Sequence, residues 1–184
     1  MKTFILFTFL IASVSVRCQS VLERLPRNPE TQKVEYVEIV EVPQATKATL
    51  FAKAQTWMAT TFRSANQTIQ LADKETGTLI AKGTMPTRVR AMGRDYPAGV
   101  FRLTMAVQVK DGKYKVTLSE IVHEGDINPN GAATMGPIEN SAKASMIRYP
   151  TRKQWDELRA NFHDDALKFL AKFKETMQKP NDDF

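Results

Sequence analysis

The chain has 184 residues, 42% of them hydrophobic and 25% charged, with a formal net charge of +6 and one cysteine. A single cysteine excludes an intramolecular disulfide, so stability has to come from a packed core, and a chain of this length suffices for one core and not for two. After residues 1–18 no stretch approaches the roughly 20 apolar residues of a transmembrane helix.

Residues 1–18 read as a cleavable export signal. Met1 and Lys2 give a short positive start, and residues 4–12 (FILFTFLIA) give an apolar stretch too short to span a hydrocarbon core of about 30 Å. Val16 and Cys18 stand three and one positions before the bond to Gln19, where small or modest side chains suit cleavage. The mature chain is therefore expected to start at Gln19 as an exported protein, periplasmic or secreted. A lipid anchor on Cys18 is the rival arrangement, and the bulky, charged Arg17 before it argues against that. Without the signal the chain keeps 24 basic and 20 acidic residues, a net +4 that speaks to solubility and steering more than to a specific ligand.

Residues 19–32 carry Pro26 and Pro29 without periodicity and read as an extended, weakly ordered lead-in. Residues 33–42 (KVEYVEIVEV) are rich in β-branched side chains and end at Pro43, which predicts the first strand. From 46 to 62 the period changes: Leu50, Ala54, Trp57, Met58 and Phe62 fall on one stripe of an amphipathic helix. Two hairpins follow. In the first, residues 68–72 and 78–82 flank DKETG, and pairing Ala72 with Thr78 sets Leu71 opposite Leu79 and Ile69 opposite Ala81. In the second, Asp111-Gly112 is a strong two-residue turn signal. It pairs Lys110 with Lys113, Val109 with Tyr114, Val107 with Val116 and Met105 with Leu118, so that the apolar residues of both strands share a face. Thr151 and Gln154 form a capping box opening a helix over 152–178, with the stripe Trp155, Leu158, Phe162, Ala166, Phe169, Phe173 and Met177.

The order β-α-β-β-β-β-α predicts an α+β domain over 33–179, an antiparallel sheet with both helices on its apolar face. The other face, with Arg102, Thr104, Gln108, Lys115, Thr117 and Ser119, is expected to be open. The strand KVEYVEIVEV, the helix segment LFAKAQTWMATTF, the hairpin IQLADKETGTLIAKG and the run KDGKYKVTLSEI resemble a family of exported bacterial domains of unknown function with a TATA-box-binding-protein-like (TBP-like) fold. The resemblance covers residues 33–122 and implies fold and export. It assigns no catalytic residue and transfers no nucleic-acid binding, because a fold does not fix a function.

Residues 84–98 (TMPTRVRAMGRDYPA) read as a loop joining two strands, and Arg88, Arg90 and Arg94 with Tyr96 are the candidate binding residues, since guanidinium forks suit phosphate, sulfate or carboxylate. The alternative is a solvated basic loop. Residues 124–148 form a connection of about 25 residues, long enough to be functional or disordered. GAATMG within it lacks the lysine and the strand-to-helix setting of a phosphate loop. No metal site and no cofactor is expected. His163, Asp164 and Asp165 are consecutive on a helix and splay apart, and no spacing brings them to His123, Glu124 and Asp126. Glu120 falls on the apolar face in the register above, which marks a bulge where alternation slips before Ile121-Val122.

The expected function is that of a non-enzymatic exported binding or interaction domain for a protein, glycan or small anionic ligand. Nucleic acid is disfavoured by export and by the modest charge. The alternative is a hydrolase or metal-dependent enzyme drawing on His123, Glu120, Asp126 and His163.

Overall fold

The structure, a computed structural model, describes residues 21–62, 68–125, 133–141 and 150–180. The export signal, with Cys18 and the bond before Gln19, lies outside the described residues, as do Asp126 and most of the 124–148 connection. The elements in chain order are α1 (Val21–Arg24), β1 (Tyr36–Glu41), α2 (Lys47–Thr61), β2 (Thr68–Asp73), β3 (Thr78–Ala91), β4 (Arg94–Lys110), β5 (Lys113–Glu124), β6 (Gly136–Pro137) and α3 (Arg152–Gln178). All strand pairs are antiparallel, in the order β1-β5-β4-β3-β2, with β6 sharing the β1 side of β5.

Both long helices form where their stripes and caps place them. Thr46 caps α2 by accepting from the Thr49 N–H (3.2 Å), and Thr151 with Gln154 closes the expected capping box on α3. The buried stripe of α2 (Leu50, Phe51, Ala54, Trp57 and Met58) packs on the sheet side where Leu79, Phe101, Met105, Val107, Val116 and Leu118 are buried. Trp57 meets Phe169 and Phe173 of α3 edge-on, each at 4.9 Å between centroids, so aromatic contacts lock the two helices together over one face.

The second hairpin has the expected register from Lys110↔Lys113 to Met105↔Leu118. The first is shifted by one: Ala72 pairs with Leu79 and Leu71 with Ile80, and a bulge between Ile69 and Leu71 restores Ile69↔Ala81. Asp73 causes the shift. Its carboxylate accepts from the Glu75 and Thr76 N–H groups (2.8 and 3.2 Å) and from Thr76 Oγ1 (2.8 Å), so it ends the strand and leaves four residues in the turn.

Three further expectations change. The lead-in is not wholly extended: α1 forms, Leu25 is buried, and Arg27 bridges to Val34 around an Asn28 turn whose Oδ1 accepts from Glu30 and Thr31. Residues 84–98 are not a loop. They continue β3 and β4 as a hairpin arm closed by Met92-Gly93, both at positive φ (49° and 73°), as a tight two-residue turn requires. Within the 124–148 connection, β6 adds a short strand at Val122 and His123.

Candidate functional site

The arm divides the residues that the sequence had grouped. Val89 pairs with Tyr96 and Ala91 with Arg94, whereas Arg88 pairs with Pro97 and Arg90 with Asp95. Directly opposed residues share a face. Arg94 and Tyr96 therefore lie on the side of buried Val89, toward α3, and Arg88 and Arg90 lie on the other, uncovered side. The arm rests on α3 through its backbone: the Arg90 N–H donates to Glu157 Oε1 (3.1 Å), and Asn161 Nδ2 donates to the Arg88 carbonyl (3.4 Å). The two guanidinium groups on the open side are left pointing to solvent, together with Lys82 and Arg102 on the same face.

That face carries a graded chemistry. One row across all five long strands runs Val37, Thr117, Ala106, Ile80 and Leu71, apolar apart from one hydroxyl. At its β1 edge Val37 and Ile39 are 46% and 68% exposed. The adjoining row holds Ser119, Thr104 and Lys82, and the next holds Val122, Arg102 and Thr84. None of α1, α2 or α3 covers these side chains.

A cleft of about 440 Å³ opens on this face beside β6, lined by residues that include Lys33, Lys82, Arg102, Thr104, Glu120 and Glu139. Its floor is a bulge in β5. The register slips between Arg102 and Thr104 of β4, and Glu120 takes a left-handed backbone at φ 52°, so the slip foreseen at Glu120 is where the structure has it. Thr104 Oγ1 donates to Glu120 Oε2 (2.7 Å), and Arg102 Nε holds Glu124 at 3.0 Å. Glu139 Oε1 accepts from the Val34 N–H (2.6 Å), which ties the approach to β1 to the segment after β6.

Asp126 lies outside the described residues, and the described residues named for acid-base or metal work do not come together. His123 is fully buried on the helix side, its Nε2 donating to the Ala98 carbonyl (2.7 Å) while Nδ1 accepts from the Met135 N–H (3.3 Å). Phe101 and Trp155 pack around it. Glu120 is on the opposite side of the sheet, and His163 Nδ1 on α3 is engaged by the Tyr36 hydroxyl at 3.0 Å. Among the described residues no group of three or more histidine, cysteine, aspartate or glutamate side chains is placed to hold a metal. No helix among them is long and apolar enough to cross a membrane.

Sequence reasoning missed Lys33, Lys82 and Glu139 as neighbours. They are far apart along the chain: the β3-β4-β5 pairing brings Lys82 to the bulge, and β6 against β5, with Glu139 on the Val34 N–H, brings Glu139 and Lys33. The one signal available was the break in alternation at Glu120, which marks the floor of the cleft.

Residues 36–124 match the family model described as "Domain of unknown function (DUF4468) with TBP-like fold". The chain resembles the DUF4468 family. A DUF4468 family protein from Bacteroides ovatus superposes with a TM-score of 0.60 at 16% identity, covering 87% of this chain and 94% of that one. A TBP-like protein from Parabacteroides distasonis gives 0.58 at 15%, covering 81% and 95%. At such identity the likeness establishes the fold alone. The DUF4468 match ends at β5, so β6 and α3 lie beyond it, while the structural likeness extends further along the chain. No curated protein matches the sequence.

Proposed function

We propose that this chain is an exported, non-enzymatic binding domain that takes an anionic ligand on the uncovered face of its sheet. The observation that carries the reading is that both long helices pack on one face, leaving the other with Lys82, Arg88, Arg90 and Arg102 directed outward. A sheet with a fixed backbone presents such cations without the cost of ordering a loop, and guanidinium groups recognise carboxylate, sulfate and phosphate with paired hydrogen bonds. Arg94 and Tyr96, on the other side of the arm, contribute little to this surface.

The test is thermal melting with a panel of small and polymeric anions. A ligand at about 100 times its dissociation constant adds roughly 2.7 kcal/mol to the native state. The shift should vanish in Arg88→Ala/Arg90→Ala and persist in Arg94→Ala/Tyr96→Ala; loss in the second pair alone would move the site to the helix side of the arm. Export is supported by the charged start and short apolar run of residues 1–18. N-terminal sequencing of protein recovered outside the cytoplasm should begin at Gln19. Recovery of the intact chain only from the cytoplasm would reject it.

A further inference from the structure

We propose that the cleft between β1 and β6 is a subsite for an acidic sugar, a uronate or sulfated hexose within an oligosaccharide, a reading that rests on the open face being an anion-binding surface. The cleft exists because two short strands share one edge of β5. Strand β1 covers Lys113 to Leu118, and β6 covers Val122 and His123. Between them lie Ser119, Glu120 and Ile121, where the bulge opens the surface instead of closing it. A left-handed backbone is strained at a residue that carries a Cβ. Such strain is held in place only when the surroundings over-determine it. Here it fixes Glu120 over Thr104 on the floor of the cleft.

The lining combines two kinds of partner. The ammonium groups of Lys33 and Lys82 form no hydrogen bond or ion pair with other described residues, whereas Arg102 is already held by Glu124. Two lysines facing a common cleft call for an anionic substituent. Glu120 and Glu139 each use one carboxylate oxygen, on Thr104 and on the Val34 N–H, and their other oxygens remain acceptors. Those acceptors call for hydroxyl donors. A bare inorganic anion brings no donor and is repelled by both carboxylates, and a neutral sugar leaves both lysines unused. An acidic sugar satisfies the two sets at once, with its C–H surface on Val122 and Pro137. The volume, about 440 Å³, lies within the usual span of small-ligand sites.

The same strand extends the site. Arg88 and Arg90 stand six and eight residues beyond Lys82 on β3, or about 20 and 26 Å at ~3.3 Å per residue. That reach suits several sugar units in a row. A single-stranded nucleic acid also carries spaced anions, but its recognition rests on aromatic platforms for the bases. The open face offers none among the described residues: Tyr36, Phe101 and Tyr114 turn inward, and Tyr96 lies on the other side of the arm.

Calorimetric titration of the purified protein with tetragalacturonate, a heparin-derived tetrasaccharide, maltotetraose, sodium sulfate and oligothymidylate tests this. At least one acidic tetrasaccharide should bind, with maltotetraose at least tenfold weaker. Lys33→Ala/Lys82→Ala should weaken binding by tenfold or more, the scale of a lost charge-assisted hydrogen bond. Glu120→Gly should weaken it about tenfold as well. It suits the backbone at that position, so the variant should melt no lower than wild type and thus separate recognition from folding. The inference is overturned if neither acidic tetrasaccharide binds, or if binding ignores both variants. If sulfate or oligothymidylate binds and only Arg88→Ala/Arg90→Ala abolishes it, the open-face reading stands and the sugar subsite falls. If no anion binds, both fall.

Discussion

Arg159 sits at 3% exposure within the buried stripe of α3, where the helical period asks for an apolar side chain. Burial presses its pKa down, and Asp156 at 3.1 Å offsets that, so the guanidinium stays charged. The cost of burying it is met by neighbours. Nε donates to the Ile138 carbonyl (2.9 Å), Nη2 to the Asn140 carbonyl, and the plane lies over the Trp155 ring at 4.7 Å. Trp155 Nε1 donates to the same Asn140 carbonyl (2.8 Å). One side chain therefore pins the segment after β6 onto α3, and with it the wall of the cleft that carries Glu139. Arg159→Ala is expected to cost about 3 kcal/mol in urea unfolding, by leaving the Ile138 carbonyl unpaired and a void beside Trp155. Hydrogen exchange should show the Ile138 N–H, bonded to the Ile121 carbonyl at 3.0 Å, losing protection. A variant that keeps that protection would show the pin to be unnecessary.

At the scale of elements, bulges decide where the sheet ends up. β4 carries an extra residue at Ala98-Gly99, where the register with β3 slips between Pro86 and Arg88. Gly99 has φ 89°, and a Cβ there would collide with the backbone of Glu124 and Gly125. Gly99→Ala is expected to lower stability by about 2 kcal/mol or more, read as a lower melting temperature, because both the backbone conformation and the space are denied to it. An unchanged melt would mean the bulge can relax. Elements with a single local cause were legible in the sequence: the α2 and α3 stripes, the Thr151 capping box, and the Asp111-Gly112 turn that fixed a register down to Leu118. Features decided by partners distant in sequence were not. The Asp73 side chain reset the first hairpin by one residue. Strand pairing past Lys82 turned an expected arginine loop into an arm with two faces, which separated Arg88 and Arg90 from Arg94 and Tyr96. The cleft was legible only as a slipped alternation at Glu120, because Lys33 and Glu139 meet through a strand of two residues that no periodicity announces.

Among the described residues the sheet has one face closed by α2 and α3 and one that they leave open, and the two set different limits on the molecule. The closed face buries Tyr36 and Tyr114, whose pKa values are both pushed above the ordinary tyrosine value of about 10, chiefly by burial and secondarily by Asp164 and Glu38 respectively. Below pH ~10 both phenols are neutral in folded and unfolded chains alike, and they add no pH dependence. Above it the unfolded chain releases protons that the folded chain retains, so stability falls as pH rises. The two phenols differ in what else they do. Tyr36 shares a hydrogen bond with His163, whereas the Tyr114 hydroxyl has no partner among the described residues. Tyr114→Phe should therefore be neutral or slightly stabilising at pH 7 and should unfold at a higher alkaline pH than wild type. Tyr36→Phe should lose about 1 kcal/mol at pH 7 while also resisting alkali. Urea midpoints measured between pH 7 and 11 separate these outcomes. If Tyr114→Phe loses stability above pH 10 as steeply as wild type, the alkaline limit lies outside the closed face. Neither substitution touches the open face, so anion-induced melting shifts at pH 7 should be the same in both variants as in wild type.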